Sequence, residues 1–327
     1  MDIAKGCGIL SIVLLHFSSV DFLSSIRIFI GLYMISIFYV VVGWISAMRP
    51  TEIPIKEIIR KRWKQLGIPY IGWTIIILIF DMFLWAFGYY STTIIAREIY
   101  KSIVLRGIGT LWFLPALFGG ELVFHHIVKK QNKIWLTIGM IILSLLYNEL
   151  YFHIFGHKTD TMSRIIEAPF HTINNVLNAF LFITGGYLLC LIYKRYEDTF
   201  KQYVWGLIGM VICIFMFWWT YNIHIPVIGS KIVSLLTPFG IILFFKFIQS
   251  ARCLDYLNFW GKHSLGLMVT HYSLLLPICV IIQNYVYHTE AHRLHGWISA
   301  FCFFPIMILE YYLVIYIEKK YPKLLGK

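Results

Sequence analysis

Long apolar runs recur from one end of this chain to the other, and short polar stretches separate them. A helix needs about 20 mostly apolar residues to cross the hydrocarbon core of a bilayer. The short segments of alternating hydrophobicity that a membrane β-barrel requires do not occur. The pattern therefore predicts an all-α, polytopic transmembrane helical bundle with about ten membrane helices. The predicted spans cover about 6–23, 28–48, 67–88, 109–128, 134–153, 176–193, 203–222, 231–249, 265–287 and 297–318.

Composition agrees with a membrane protein, since 59% of the 327 residues are hydrophobic and only 13% are charged. No linker or break in composition divides the chain, so we expect a single integral-membrane domain over 1–327 without an appended soluble domain. The first apolar run contains His16 and lacks a small-residue cleavage site, and we interpret it as a retained helix. The six cysteines stand singly and indicate neither a metal site nor a disulfide framework.

Lys and Arg are distributed unevenly between the two ends of the predicted spans. Ten spans put both termini on one side, and that side receives 20 of the 28 Lys and Arg residues. Because cytoplasmic loops are enriched in these residues, both termini are predicted to be cytoplasmic. The net charge of +12 then reflects topology and anionic lipid headgroups, and nucleic acid is not an expected partner. The longest predicted outer loop covers about 154–175.

A few ionisable side chains lie within the predicted spans, where charge is costly and often functional. His16 follows Lys5 by eleven residues, which is about three helical turns, so both share one helix face roughly 16 Å apart along its axis. We predict a cation at the membrane mouth and a titratable base deeper inside. The other members of this group are Asp81, Glu121, His125, His271 and Glu310.

Each of these buried polar groups also has a plainer interpretation as a contact between helices. For His271 the functional and structural interpretations both stay open, and the same holds for Asp81 and Glu310. Glu121 and His125 are four residues apart on one face and could form an acid–base pair.

The first predicted cytoplasmic loop is strongly basic, and its cations are Lys56, Arg60, Lys61, Arg62 and Lys64. This cluster supports the predicted topology. It would also serve as a phosphate clamp, because Arg gives bidentate contacts and Lys a point charge. Lys5 at the mouth would complete the anion site. Neither a Walker loop nor a Rossmann glycine motif is present, so hydrolysis of a nucleotide is not expected.

Four short motifs follow one another along the chain in a characteristic order. They are Lys5-x10-His16, then Arg62-Trp-Lys-Gln65-Leu-Gly-Ile-Pro-Tyr, then Gly109-Thr-Leu-Trp112-Phe-Leu-Pro-Ala-Leu-Phe, and finally Gly261-Lys-His-Ser264-Leu through His271-Tyr. Together they resemble the acyltransferase-3 family of bacterial membrane acyltransferases, especially its fucose 4-O-acetylase-like branch. Two positions differ from the family pattern, because Lys5 and Gln65 stand where arginines are usual.

The resemblance implies an enzyme of the bacterial inner (plasma) membrane that transfers an acyl group, most simply acetyl, from a cytoplasmic acyl-CoA to a sugar hydroxyl of a cell-surface or exported glycan. Acetyl-CoA would be a co-substrate, with no permanently bound cofactor and no metal. The residues expected to take part are His16, His271 and Glu121 in catalysis, Lys5, Arg60, Arg62, Lys64 and Gln65 at the donor, and Trp112, Asp81 and Ser264 along the substrate path.

Other interpretations stay open at this point. A proton-coupled transporter or flippase for a lipid-linked glycan would also use intramembrane acids, histidines and a basic mouth, although the chain shows no obvious internal repeat. A non-catalytic relative is a further alternative, because Lys5 and Gln65 depart from the family pattern. The outer-face histidines are candidates for an acceptor path; they are His157, His171, His224, His288, His292 and His295.

Overall fold

The chain folds into a bundle of helices. The computed structural model describes residues 1–17, 24–49, 53–130, 134–158, 160–223, 225–248, 252–288, 294 and 296–327. It is 87% helical, and none of the described residues forms a strand. The predicted all-α architecture is confirmed. Eight helices in these ranges are long and apolar enough to cross a membrane, so the chain is a multi-pass membrane protein.

The helices follow one another through short connections. In chain order they are α1 (Asp2–Phe17), α2 (Ser24–Gly31), α3 (Ser36–Met48), α4 (Ile55–Arg62), α5 (Ile68–Ala86), α6 (Thr92–Ile103), α7 (Phe113–Phe124), α8 (Ile134–Phe155), α9 (Thr161–Tyr196), α10 (Gln202–Asn222), α11 (Val227–Ile248), α12 (Asp255–Lys262), α13 (Ser264–Thr270), α14 (Leu276–Tyr287) and α15 (Gly296–Lys320). Wider π-helical turns occur at Trp63–Gly67, His125–Lys130 and His271–Leu275, and short 3₁₀ turns at Arg252–Leu254 and Pro322–Leu325.

The eight long apolar helices correspond to eight of the ten predicted spans. The first and fourth predicted spans correspond to α1 and α7, which are only 16 and 12 residues long. Both are packed inside the bundle: Ile9, Val13 and Phe17 of α1, and Leu114 and Ala116 of α7, are each at most 1% exposed. The count of ten spans and the side of the termini stay predictions.

The predicted outer loop at 154–175 is wrong, because α9 begins at Thr161 and continues through Pro169. Asp160 caps this helix by accepting a hydrogen bond of 2.8 Å from the backbone N–H of Ser163, which holds the pKa of the Asp160 carboxyl below its usual value. In a membrane bundle, neighbouring groups can satisfy the carbonyl that a proline frees, so the proline does not end the helix. The polar composition of this stretch hid its helical structure.

Glycines bring the backbones of α1 and α12 into direct contact. A Cβ added at Gly6 would lie 1.8 Å from the carbonyl oxygen of Leu257, and one at Gly261 would lie 1.7 Å from that of Asp2. In lipid the hydrophobic effect does not drive helices together, so small residues that permit close approach stabilise the contact. Two further pairs work in the same way, Gly43 with Gly186 between α3 and α9, and Gly209 with Gly240 between α10 and α11.

We expect Gly261→Ala to destabilise the protein, because the added methyl group meets a backbone atom that cannot move aside. Overpacking of this kind costs about 1–3 kcal/mol. The thermal unfolding midpoint of the purified protein in detergent should fall by several degrees.

Gly139→Ala is the matched control, since a Cβ on Gly139 of α8 meets no described neighbouring group within 4 Å. Its midpoint should stay level or rise slightly, as alanine favours helix more than glycine does. Equal midpoints for the two variants would contradict the close packing of α1 on α12.

Candidate active site

Two histidines from distant parts of the sequence meet in the middle of the bundle. His16, near the end of α1, lies 2.9 Å through Nδ1 from Nε2 of His271, which begins the π-helical turn between α13 and α14. Their rings are stacked, with centroids 5.1 Å apart. His271 is completely buried, and the ring of Tyr272 packs against His16 at 4.6 Å. The structure thus unites two of the predicted catalytic residues.

The hydrogen bonds around His271 determine which nitrogen of His16 carries its proton. Nδ1 of His271 lies 2.5 Å from the carbonyl oxygen of Leu267, which can only accept, so this nitrogen donates. Nε2 of a neutral His271 must then accept from Nδ1 of His16. A neutral His16 is left with its lone pair on Nε2. His16 is therefore oriented to act as a proton acceptor.

A largely apolar cavity of about 470 Å³ leads to His16 from the start of α1. We call it the Lys5 cavity, because Lys5 and Ser264 line one part of it and His16 another. The predicted Lys5–His16 face of α1 thus faces a single cavity. Lys5 also forms an ion pair of 2.7 Å with Asp2, and its side chain is 26% exposed. The apolar lining includes Ile9, Ile12, Met34, Phe38, Val42, Leu66, Phe113 and Leu117.

A second, more polar cavity of about 780 Å³ lies towards the other end of the bundle. We call it the Asp81 cavity. Ser264 lines the Lys5 cavity and Asn284 lines the Asp81 cavity, and twenty helical residues separate them by roughly 30 Å along the axis. The polar residues that line the Asp81 cavity include Asp81, Tyr90, Arg97, Glu98, Lys101, Arg106, His171, Asn175, Ser273 and Asn284.

A thin wall separates the two cavities. Gly109, Trp112 and Tyr272 line both of them, so the predicted substrate-path residue Trp112 lies between the cavities. Gly109 has a φ of +53°, and a Cβ there would lie 2.3 Å from Oγ of Ser273 and 2.8 Å from the ring of Tyr272. Only glycine lets this segment lie so close to the turn that carries His271.

The basic turn before α5 is organised around Arg62. Its Nη2 lies 2.5 Å from Oε1 of Glu121, and its Nη1 donates to Oε1 of Gln65 at 2.7 Å. His125 is 3.6 Å from the same carboxylate oxygen of Glu121. Glu121 is not among the described residues that line either cavity, so the structure places it beside Arg62 and not beside His16. Arg60 and Lys64, the other predicted donor residues here, are exposed.

A buried carboxyl group contacts the residue that precedes His271. Glu310 of α15 is completely buried, and its Oε2 lies 2.6 Å from Oγ1 of Thr270, the residue before His271. The oxygen of Thr270 is also 2.9 Å from the carbonyl oxygen of Gly266. This contact ties α15 to the end of α13, where the histidine turn begins.

Several lining residues were not predicted from the sequence. Tyr272 could have been noticed as the neighbour of His271, and Gly109 from the two closely spaced glycines before Trp112. Arg106 carried no recognisable signal. Of the outer histidines, His171 lines the Asp81 cavity, whereas His157 and His288 are exposed. His224, His292 and His295 lie outside the described residues.

These observations define a multi-pass membrane protein with a histidine pair at the meeting point of two cavities. The family described as an acyltransferase domain, acyltransferase-3, matches residues 1–315. The chain therefore belongs to the acyltransferase-3 family, and the resemblance is confirmed at that level. Comparison with curated proteins and with solved structures gave no significant match. Among the described residues, no group of three or more His, Cys, Asp or Glu side chains is placed to hold a metal ion.

The hydrogen-bond chain predicts the tautomer of His16. The measurement uses protein in lipid bilayers at a pH where His16 is neutral. The ¹⁵N chemical shifts of labelled histidine should then show a protonated Nδ1 and an unprotonated Nε2 for His16. His271→Ala removes the acceptor of that proton, so the Nε2-protonated form should then become populated. The exposed His157 gives the reference signal, and its shifts should not change. A protonated Nε2 in the neutral wild-type protein would contradict this assignment.

Proposed function

We propose that this protein is an O-acyltransferase of the bacterial inner membrane. It would transfer an acetyl group from cytoplasmic acetyl-CoA to a sugar hydroxyl of a cell-surface or exported glycan, as in the fucose 4-O-acetylase-like branch. Family membership supports acyl transfer. The observation that carries the rest of the proposal is the position of His16, which lines one cavity and packs on a residue that lines both.

The Lys5 cavity has the properties that an acyl-CoA requires. An acyl-CoA has an anionic nucleotide head and a long neutral arm that ends in a thioester. The cavity offers a cation towards one end, apolar walls along its length and His16 farther in. Leu66 brings the turn that contains Lys64 and Gln65 to the edge of this cavity, so Arg62 and its neighbours would bind phosphates there. Glu121 would position Arg62.

The chemistry follows from the orientation of His16. A sugar hydroxyl that enters from the Asp81 cavity would give its proton to Nε2 of His16 as its oxygen attacks the thioester carbonyl carbon. The bond from that carbon to sulfur then breaks, and the thiolate of CoA takes the proton back from His16. His271 would hold the ring through the Nδ1 hydrogen bond during both transfers. The products are the sugar ester and free CoA.

We expect His16→Ala to abolish acetyl transfer without lowering the amount of protein in the membrane. General-base catalysis contributes about 10²–10⁴-fold, so the residual rate should be lower by at least that range. The assay incubates membranes with radiolabelled acetyl-CoA and measures both free CoA and label in the glycan fraction.

His157→Ala is the control, because His157 is exposed and is not among the described residues that line either cavity. It should keep full activity. Wild-type activity in His16→Ala would remove His16 from the mechanism. Wild-type membranes that neither release CoA nor label a glycan would contradict the proposed function and favour a carrier.

Arg62→Ala should raise the apparent KM for acetyl-CoA more than it lowers turnover at saturation, because it removes a contact to the donor head. Glu121→Gln should change KM in the same direction by a smaller factor, since it only loosens Arg62. Arg195→Ala, at an exposed arginine on the same predicted side and outside the basic turn, is the control and should leave KM at its wild-type value. If KM stays at its wild-type value in Arg62→Ala, this arginine serves topology only.

A further inference from the structure

The Asp81 cavity is rich in basic side chains that topology does not explain. Arg97 and Lys101 of α6, and Arg106 just beyond it, all line this cavity. Under the predicted topology the outer side holds only eight Lys and Arg residues, and these three are among them. Because outer segments carry few cations, the grouping of three around one cavity needs a local reason.

The pairing of these cations with carboxylates is uneven. Nε of Arg97 and Nζ of Lys101 both bind Oε1 of Glu98, at 3.1 Å and 3.0 Å. One carboxylate is therefore shared between two cations. Asp81 and Glu98 are the carboxyl groups that line the cavity with them, and His171 is the imidazole.

Arg106 is the least satisfied of the three cations. Its Nη1 forms a long ion pair of 3.7 Å with Oε1 of Glu167, which is beyond hydrogen-bond distance, and that oxygen already accepts a hydrogen bond from the hydroxyl of Tyr151. Nη1 is buried and has no hydrogen-bond partner among the described residues. A buried donor without a partner is costly, so Arg106 is held in place without full compensation for its charge. Its side chain is still 28% exposed and lines the cavity, so part of that charge is open to a ligand.

Arg106 is also close to the wall between the cavities. The backbone N–H groups of Arg106 and Gly107 both donate to the carbonyl oxygen of Lys101, at 2.9 Å and 3.1 Å, which turns the chain sharply at the end of α6. Gly109, a residue of the wall, follows three positions later. A ligand held by Arg106 would therefore lie at the inner end of the Asp81 cavity, near the histidine pair.

We infer that the Asp81 cavity binds a glycan with an anionic group, a carboxylate or a phosphate, near the hydroxyl that is acylated. Arg106 binds this group, because its planar guanidinium matches both kinds of anion. Lys101 and Arg97 add positive potential along the entrance. That the bound glycan is the acyl acceptor rests on the proposed function, but its binding can be measured without any acyl donor.

The test uses the purified full-length protein in detergent without acetyl-CoA. Binding of methyl β-D-glucuronide, methyl β-D-glucoside and glucose 1-phosphate is measured by isothermal titration calorimetry. We expect at least one anionic sugar to bind about tenfold or more tightly than the neutral glucoside, as is usual for a charge-assisted contact. Tighter binding of the glucuronide indicates a uronic acid, and tighter binding of the phosphate indicates a phosphorylated sugar.

Arg106→Gln should remove this preference, and Arg106→Lys should keep part of it, because charge remains without the fork. Arg164→Gln, at an exposed arginine on the same predicted side, should keep all of it. The thermal unfolding midpoint of each variant shows whether it is folded. If Arg106→Gln is unfolded, Arg106→Lys is used in its place, and its preference for anionic sugars should be weaker than that of the wild type.

Equal binding of all three sugars, no binding of either anionic sugar, or a preference that survives in Arg106→Gln would overturn the inference. Failure of the proposed function looks different. A protein that binds anionic sugars through Arg106, but does not release CoA from acetyl-CoA, would keep this site and lose the enzymatic role.

Discussion

The hydrogen bond between His16 and His271 is the contact on which the candidate site depends. It joins residues 255 positions apart, so it exists only when α1 is docked against α12 and α13. Gly6 and Gly261 make that docking possible because they have no side chain at the contact between the helices. One turn of displacement along α1 would move His16 by about 5 Å and break the pair. The packing of small residues and the chemistry are therefore coupled.

The different linings of the two cavities suit different parts of the acyl transfer proposed above. The Lys5 cavity is mostly apolar, which would keep water away from a thioester held beside His16. The Asp81 cavity is polar and contains several ion pairs, as a site for a hydrated sugar would be. Gly109, Trp112 and Tyr272 separate them by the thickness of one layer of residues. Donor and acceptor could thus approach the same imidazole from opposite ends of the bundle.

The sequence predicted the local features of this site better than its long-range contacts. Lys5 and His16 were expected on one face because helical periodicity places them there, and both line one cavity. The pairing of His16 with His271 depends on tertiary packing and could not be predicted from spacing. Glu121 and His125 do lie together, but Arg62 of another segment binds Glu121, which a pattern along one helix cannot reveal.

The π-helical turns explain how a helical bundle can present such groups at all. A π turn inserts one extra residue into a helix, frees backbone groups and redirects the side chains that follow. Gln65, His125 and His271 each belong to one of these turns. At His271 the turn aims the imidazole at α1 while its Nδ1 still reaches the carbonyl oxygen of Leu267 at 2.5 Å. Because that carbonyl determines the tautomer of His271, and His271 determines that of His16, the basic nitrogen of His16 depends on a local change of helical geometry in another helix.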